Sequence, residues 1–192
     1  MHVVNIFDAI KYIVYFILLF ICAYTDYKYG KIYNKNLLLF LLFFAIFSAI
    51  EYIFLYITKN NEISLVRQQL IDNIIGFIIA FVVGFLFYAL GVFKGGDAKL
   101  LAVVGLCAGK GQVLSHFATI MIVAGIAALY ILIKNGILVS RLKRVFLYLK
   151  GLILVGRFDK YVTENNDKIH FPFAVYILLG EIISYLNFYL RG

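Results

Sequence analysis

Two aspartates, Asp26 and Asp97, are the residues whose type and placement best suit catalysis. Each borders a long apolar run, and they stand 71 positions apart in the sequence. Ionisable side chains beside membrane-type runs are costly, which makes them functional candidates. If the fold brings the two carboxyls together, they cannot both ionise cheaply and will share one proton. Such a pair can act as general base towards water and general acid towards a carbonyl group, which is aspartic-protease chemistry.

The composition shows which kind of protein must position these carboxyls. The 192 residues are 64% apolar and 15% charged, with a mean hydropathy of +0.96. Soluble domains run at about 45–50% apolar and about 25% charged. One Pro and two Cys exclude a Pro-rich linker, a disulfide framework and a four-cysteine zinc site. The composition therefore predicts an all-α polytopic membrane protein with no metal or cofactor site.

The apolar runs predict six transmembrane helices in a single membrane-embedded domain over residues 1–192. The fourth is short, since 12 apolar residues make a helix of about 18 Å, and we expect it to pack inside the bundle. A further segment, about 137–157, alternates apolar residues with cations and is typical of an amphipathic helix on the membrane surface. The predicted spans are about 10–25, 37–57, 73–93, 97–109, 113–133 and 171–190.

The distribution of cations gives the orientation. With six spans and the N-terminus outside, 13 of the 18 Lys and Arg residues lie inside and 5 outside, Lys11 among the latter. Positive charges favour the cytoplasmic side, so both termini are expected outside and residues 134–170 inside. This explains the net charge of +8 without a nucleic-acid partner. It also places Asp26 and Asp97 at the same, cytoplasmic, membrane face.

Three sequence blocks around these positions resemble those of prepilin peptidases, the membrane aspartyl proteases of the type IV leader peptidase family. Residues 26–34 are similar to the first catalytic block, and residues 95–101 to the Gly-x-Gly-Asp core. Residues 171–180 resemble the third block, which is Pro-Phe-Gly-Pro-like. Residues 73–76 and 105–109 are similar as well, and the resemblance covers nearly the whole chain. In two departures, Tyr33 replaces the usual Pro and Lys94 the first Gly of the motif.

The resemblance implies an aspartyl endopeptidase with Asp26 and Asp97 as catalytic residues. Its substrate would be a prepilin-like or archaellin-like precursor, cut after a Gly where a short basic leader meets an apolar helix. Larger members also methylate the new N-terminus through an additional cytoplasmic region with paired Cys motifs. The sequence has no Cys-x-x-Cys, so we expect a short, peptidase-only type without N-methyltransferase activity.

Several neighbours of the aspartates are candidates for supporting roles. Gly95 and Gly96 would form an active-site loop that lets a substrate backbone approach closely. Asn34 belongs to the first block, and Pro172 suits the first turn of the last span, where it would shape the mouth of the site. Two lysines follow the aspartates by two positions, and each is either a headgroup anchor or a residue that tunes the pair; they are Lys28 and Lys99.

Other polar residues near the spans have simpler interpretations. Glu181 falls near mid-span, where a buried, hydrogen-bonded packing role is expected. His116 and His170 have no partner at metal-ligand spacing. Cys22 and Cys107 lie in apolar runs and are expected to behave as small core residues.

Two alternatives remain open from sequence. A presenilin or signal-peptide-peptidase type of protease also uses Gly-x-Gly-Asp, but pairs it with Tyr-Asp and Pro-Ala-Leu, where this chain has Thr25-Asp26 and Pro172-Phe173-Ala174. A small transporter would use the two aspartates as a proton relay, with Glu181 between the two faces. That interpretation predicts acids spread across the membrane depth.

Overall fold

The computed structural model describes residues 6–57, 63–136, 138–140, 143 and 171–191. Within them all regular structure is helical, which confirms the all-α prediction. Four of the helices, α1 to α4, are long and apolar enough to cross a membrane, and the apolar part of the fifth is shorter. The helices are α1 (Ile6–Tyr29), α2 (Asn34–Ile57), α3 (Ile63–Ala89), α4 (Gly95–Lys134) and α5 (Phe173–Arg191).

Helix α4 is two helical arms joined at Gly109. This residue has φ 69° and ψ 170°, a left-handed conformation that favours glycine. The first arm, residues 95–108, runs back along α3, because Ala98 lies against Gly84 and Gly105 against Gly76. The second arm, residues 110–134, then reverses direction. The break lies at Gly109 because glycine adopts this conformation without strain.

The second arm and α5 run antiparallel to each other. Phe117 stacks near Phe87, with ring centroids 6.0 Å apart, so the second arm returns towards the end of α3. Further along the chain, Ile120 lies against Gly180, while His116 contacts Tyr185. These contacts therefore place α3 and the first arm of α4 in opposite directions, and likewise the second arm and α5.

Small residues allow α3 and the first arm of α4 to approach closely. A Cβ atom added to Gly76 would collide with the backbone of Gly105 and Gly109, and one added to Gly105 would collide with Ala80. Close backbone approach of this kind is a common basis of helix association in membranes. Gly76 and Gly84 are therefore close-packing positions between these two helices.

The first arm of α4 is the core of the bundle. Its residues Leu100 to Val104 are all buried, and they pack with side chains from the other helices. An ordinary membrane span shows one face to lipid, whereas this arm is enclosed by its neighbours. The expectation of a short segment packed inside the bundle is therefore confirmed.

The helices extend beyond several of the predicted spans. Helix α1 includes Asp26 in its last turn, because Gly30, at φ 64°, ends the helix and its N–H bonds to the Asp26 carbonyl. Helix α3 begins at Ile63, so the polar loop expected up to residue 69 is partly helical. It ends at Ala89 rather than 93 because Gly91, at φ 76°, turns the chain. Of the predicted amphipathic segment 137–157, all but 138–140 and 143 lies outside the described residues.

Candidate active site

Asp26 is held by the start of α5. Its side chain is almost completely buried, with 1% of its surface exposed. Its Oδ2 accepts a hydrogen bond from the backbone N–H of Ala174 at 3.1 Å. The first N–H groups of a helix have no partner within that helix, so they are available to bind a carboxylate. The C-terminal end of α1 and the N-terminal end of α5 therefore meet at this carboxyl group.

Asp97 is the third residue of α4 and is 5% exposed. Its Oδ2 accepts from the backbone N–H of Lys94 at 3.1 Å, which closes the first turn of the helix. The N-cap position of this helix belongs to Lys94. Lys94 has φ −78°, a conformation open to any residue, so the turn does not need the glycine that it replaces.

Two contacts bring the two aspartate segments together. The Nζ of Lys94 donates to the carbonyl of Gly30 at 3.4 Å. A Cβ atom added to Gly96 would lie 3.1 Å from the Cβ of Ile32, so the two backbones are close. The structure thus joins the first and second sequence blocks around a buried pair of carboxyls.

A further hydrogen bond links the residues that flank the pair. Lys99 Nζ donates to Asn34 Oδ1 at 3.0 Å, joining the first turn of α4 to the first residue of α2. Both residues had been singled out from sequence, and here they contact each other. Lys28 is exposed, and its ammonium group lies over the rings of Tyr24 and Tyr29 at 5.7 and 5.3 Å.

The third sequence block completes this end of the bundle. Pro172 immediately precedes α5, and its carbonyl accepts the N–H of Val175 at 3.1 Å. Phe173 stacks on Phe93, with centroids 4.7 Å apart, so the start of α5 packs on the turn before α4. Pro172 therefore lies one residue before the helix, and the block acts through the backbone of Ala174. Gly95 has only the ring of Tyr88 nearby, at 3.6 Å from an added Cβ.

A second buried polar cluster lies deeper in the bundle. The Tyr15 hydroxyl donates to Glu181 at 2.9 Å, and His116 Nδ1 lies 2.9 Å from the same carboxylate. The expectation that Glu181 is buried and hydrogen-bonded is confirmed, with no measurable exposure of its side chain. The sequence analysis missed His116 as its partner, since the two are 65 positions apart.

The cation distribution had counted Lys11 among the external cations. In the structure, however, it is not an external loop residue. It is 7% exposed within α1 and forms an ion pair with Glu51 of α2. Burial of one charge requires an opposite charge nearby, so the pair satisfies both groups. The signal in the sequence was that each residue interrupts an otherwise apolar run.

Within the described residues, no three His, Cys, Asp or Glu side chains cluster as metal ligands would.

Fold and site define a helical protein of membrane-spanning type with a buried pair of carboxyls where its helix ends meet. A comparison with protein families matches residues 13–134 to the type IV leader peptidase family. This match covers more than half of the chain and includes both aspartates. The protein therefore belongs to the type IV leader peptidase family, as its sequence blocks suggested, and is a peptidase. No curated protein and no solved structure gives a significant match.

Proposed function

We propose that the protein is a membrane-embedded aspartyl endopeptidase that removes the short basic leader from pilin-like or archaellin-like precursors. This proposal depends mainly on one observation. Two buried carboxyls from different helices, Asp26 and Asp97, stand on segments that contact each other, and each accepts a backbone N–H from a helix start. A purely structural carboxylate at a helix start does not need a second buried carboxylate beside it.

The proposed reaction uses the pair as a unit that holds one proton. In the proposed cycle Asp97 is the ionised base that takes a proton from the attacking water, and because both carboxyls accept an N–H from a helix start the two roles are interchangeable. Asp26, in the last turn of α1, is the protonated partner that hydrogen-bonds the scissile carbonyl and protonates its oxygen. As the tetrahedral intermediate collapses, the proton on Asp97 passes to the leaving amine. The oxygen proton then returns to Asp26, which restores the pair.

The site is proposed to lie at the cytoplasmic face of the cell membrane. Six crossings with both termini outside would bring the N-terminal end of α4 to the cytoplasmic side, together with residues 134–170. The burial of Lys11 in an ion pair removes it from the external cations, which makes the charge asymmetry stronger than the sequence count suggested. The basic segment would then contact anionic lipid headgroups.

The substrate class follows from the family and from the position of the site. A leader peptidase cuts where a basic leader ends and an apolar helix begins, so the scissile bond lies at the membrane surface. The candidate site lies where helices end, which is where such a bond would be. We expect neither a cofactor nor N-methylation, and no nucleic-acid partner.

The two alternatives are less well supported. The family match favours a leader peptidase over a presenilin-type protease. A proton relay would use acids at several depths, and the deep acids Glu51 and Glu181 are each engaged with a neighbour, in an ion pair or in hydrogen bonds. Acids with such fixed partners are typical of packing rather than of a transport path.

The test is cleavage of a precursor by the purified protein in detergent or vesicles. The precursor carries a short basic leader ending in Gly, followed by an apolar helix. We expect a product whose new N-terminus, determined by mass spectrometry, lies directly after that Gly. The matched control is Asp26→Asn, which keeps the size of the side chain and its ability to accept the Ala174 N–H. Cleavage by that variant at the wild-type rate would rule out the proposed chemistry.

A further inference from the structure

Lys94 is an unusual residue for the start of a helix. It occupies the N-cap of α4, where Ser, Thr, Asp and Asn are preferred because their side chains accept a hydrogen bond from the helix. An ammonium group can accept none, and its positive charge is unfavourable beside the positive end of the helix dipole. Any benefit of this side chain therefore lies outside α4.

The ammonium group of Lys94 reaches the end of α1. Its Nζ donates at 3.4 Å to the carbonyl of Gly30, which directly follows the last residue of that helix. A cation is favourable here, because the last carbonyl groups of a helix have no partner within it and form the negative end of its dipole. The side chain that is unsuited to the start of α4 thus suits the end of α1.

Lys94 is linked to both of the turns that carry the aspartates. Its backbone N–H donates to Oδ2 of Asp97 at 3.1 Å. Its ammonium group bonds to Gly30, whose own N–H donates to the Asp26 carbonyl at 2.8 Å. Two bonds from a single residue therefore connect the Asp26 turn with the Asp97 turn.

The packing of the helices positions the two turns only indirectly. Within the described residues, α1 packs on α2 and α5, whereas α4 packs on α2, α3 and α5. Because α1 and α4 have no extensive contact with each other, their relative position is set through their neighbours. Contacts between the end of α1 and the start of α4 then decide how accurately the carboxyls are placed. An error of about 1 Å in the position of a catalytic group can lower a rate about a hundredfold.

We propose that Lys94 is a positioning residue, which holds the Asp26 turn against the Asp97 turn through its contact with Gly30. The proposal rests on the proposed function, because it assumes that the two carboxyls act together. It gives a role to a position at which this chain departs from the usual Gly. Any residue except proline supplies the backbone N–H that Asp97 accepts, so the contact with α1 is what the lysine side chain adds.

The first test compares three variants in the precursor assay. Lys94→Met keeps the backbone N–H and the length of the side chain but removes the ammonium group, while Lys94→Arg keeps a cationic donor. Lys35→Met is the matched control, since Lys35 is an exposed lysine in the first turn of α2. We expect Lys94→Met to lower kcat about tenfold, with KM within about twofold of the wild-type value. Lys94→Arg should stay within about threefold of the wild-type kcat, and Lys35→Met should match the wild type.

The division between kcat and KM identifies the role of Lys94. A raised KM with unchanged kcat would make it a substrate-binding residue, and equal effects of Lys94→Met and Lys35→Met would make it one of several surface cations. Either result would overturn the proposal, as would a Lys94→Arg variant as slow as Lys94→Met. A lower melting temperature of Lys94→Met with wild-type kcat would also overturn it. If the wild-type protein does not cleave the precursor, the proposed function fails instead.

A second measurement needs no substrate. Ile32 and Gly96 follow and precede the two aspartates, and a Cβ atom added to Gly96 lies 3.1 Å from the Cβ of Ile32. A disulfide joins Cβ atoms about 3.8 Å apart, so cysteines at both positions can be bonded. We expect this disulfide to form several-fold more slowly with Lys94→Met than with Lys94 or with Lys35→Met. Equal rates would show that the ammonium group does not hold the turns together, and would overturn the proposal whatever the cleavage assay gives.

Discussion

The backbone N–H of Ala174 donates to Oδ2 of Asp26 at 3.1 Å, across 148 positions of sequence. This bond joins the last turn of α1 to the first turn of α5. It gives the third sequence block a physical role, because Pro172 and Phe173 position the backbone that orients one carboxyl of the pair. Residues 171–180 lie beyond the part of the chain that matches the family, so this contact is what connects them to the site.

Substitution of Asp97 separates a catalytic role from a structural one. Asp97→Asn keeps an oxygen that can accept the Lys94 N–H, so the first turn of α4 should stay closed. If Asp97 is the base, we expect cleavage of the precursor to fall at least about a hundredfold. The double variant with Asp26→Asn should be no slower than either single one, because the pair acts as a unit. If a gel-shift assay shows near wild-type cleavage by Asp97→Asn, the only role of Asp97 is to close the first turn of α4.

The Glu181 cluster is expected to contribute to stability more than to chemistry. Glu181→Leu would leave the Tyr15 hydroxyl and His116 buried without their partner, so we expect a loss of about 2–3 kcal/mol in the free energy of unfolding. Glu181→Gln keeps an acceptor for Tyr15 and should retain most of both stability and cleavage. Thermal denaturation in detergent and the precursor assay measure the two effects. Loss of cleavage by a stable Glu181→Gln variant would instead give this carboxylate a part in the reaction.

The contact between α3 and the first arm of α4 depends on the absence of side chains. Gly105→Ala would place a methyl group against Ala80 and the backbone of Gly76, and we expect a destabilisation of about 1–3 kcal/mol from overpacking. Gly125→Ala, in the same helix but with nothing within 4 Å of the added atom, is the control. It should be neutral or stabilising by up to about 1 kcal/mol. Similar melting temperatures for the two variants would contradict the packing described here.

The orientation in the membrane can be tested by cysteine labelling. We expect a cysteine at Lys160 to react with a membrane-impermeant maleimide only after the cells are opened, since the cation distribution places residues 134–170 inside. A cysteine at Lys110, beside the reversal at Gly109, should react in intact cells. The opposite pattern would place the two carboxyls on the external side and exclude a cytoplasmic precursor as substrate.

The amino-acid sequence by itself determined the class of the protein and indicated its candidate catalytic residues. Apolar runs of membrane length can only be helices, because a backbone in lipid must satisfy its own hydrogen bonds. Asp26 and Asp97 were recognisable because charged residues are few beside such runs.

Only the tertiary structure decided which of these residues meet. The partners of Glu181, of Lys11 and of Asp26 come from helices that are 40 to 166 positions away, and nothing local in a sequence encodes such a pairing. The ends of the helices also became clear only in the structure. Asp26 lies within α1 because Gly30 ends this helix later than the polar residues had suggested.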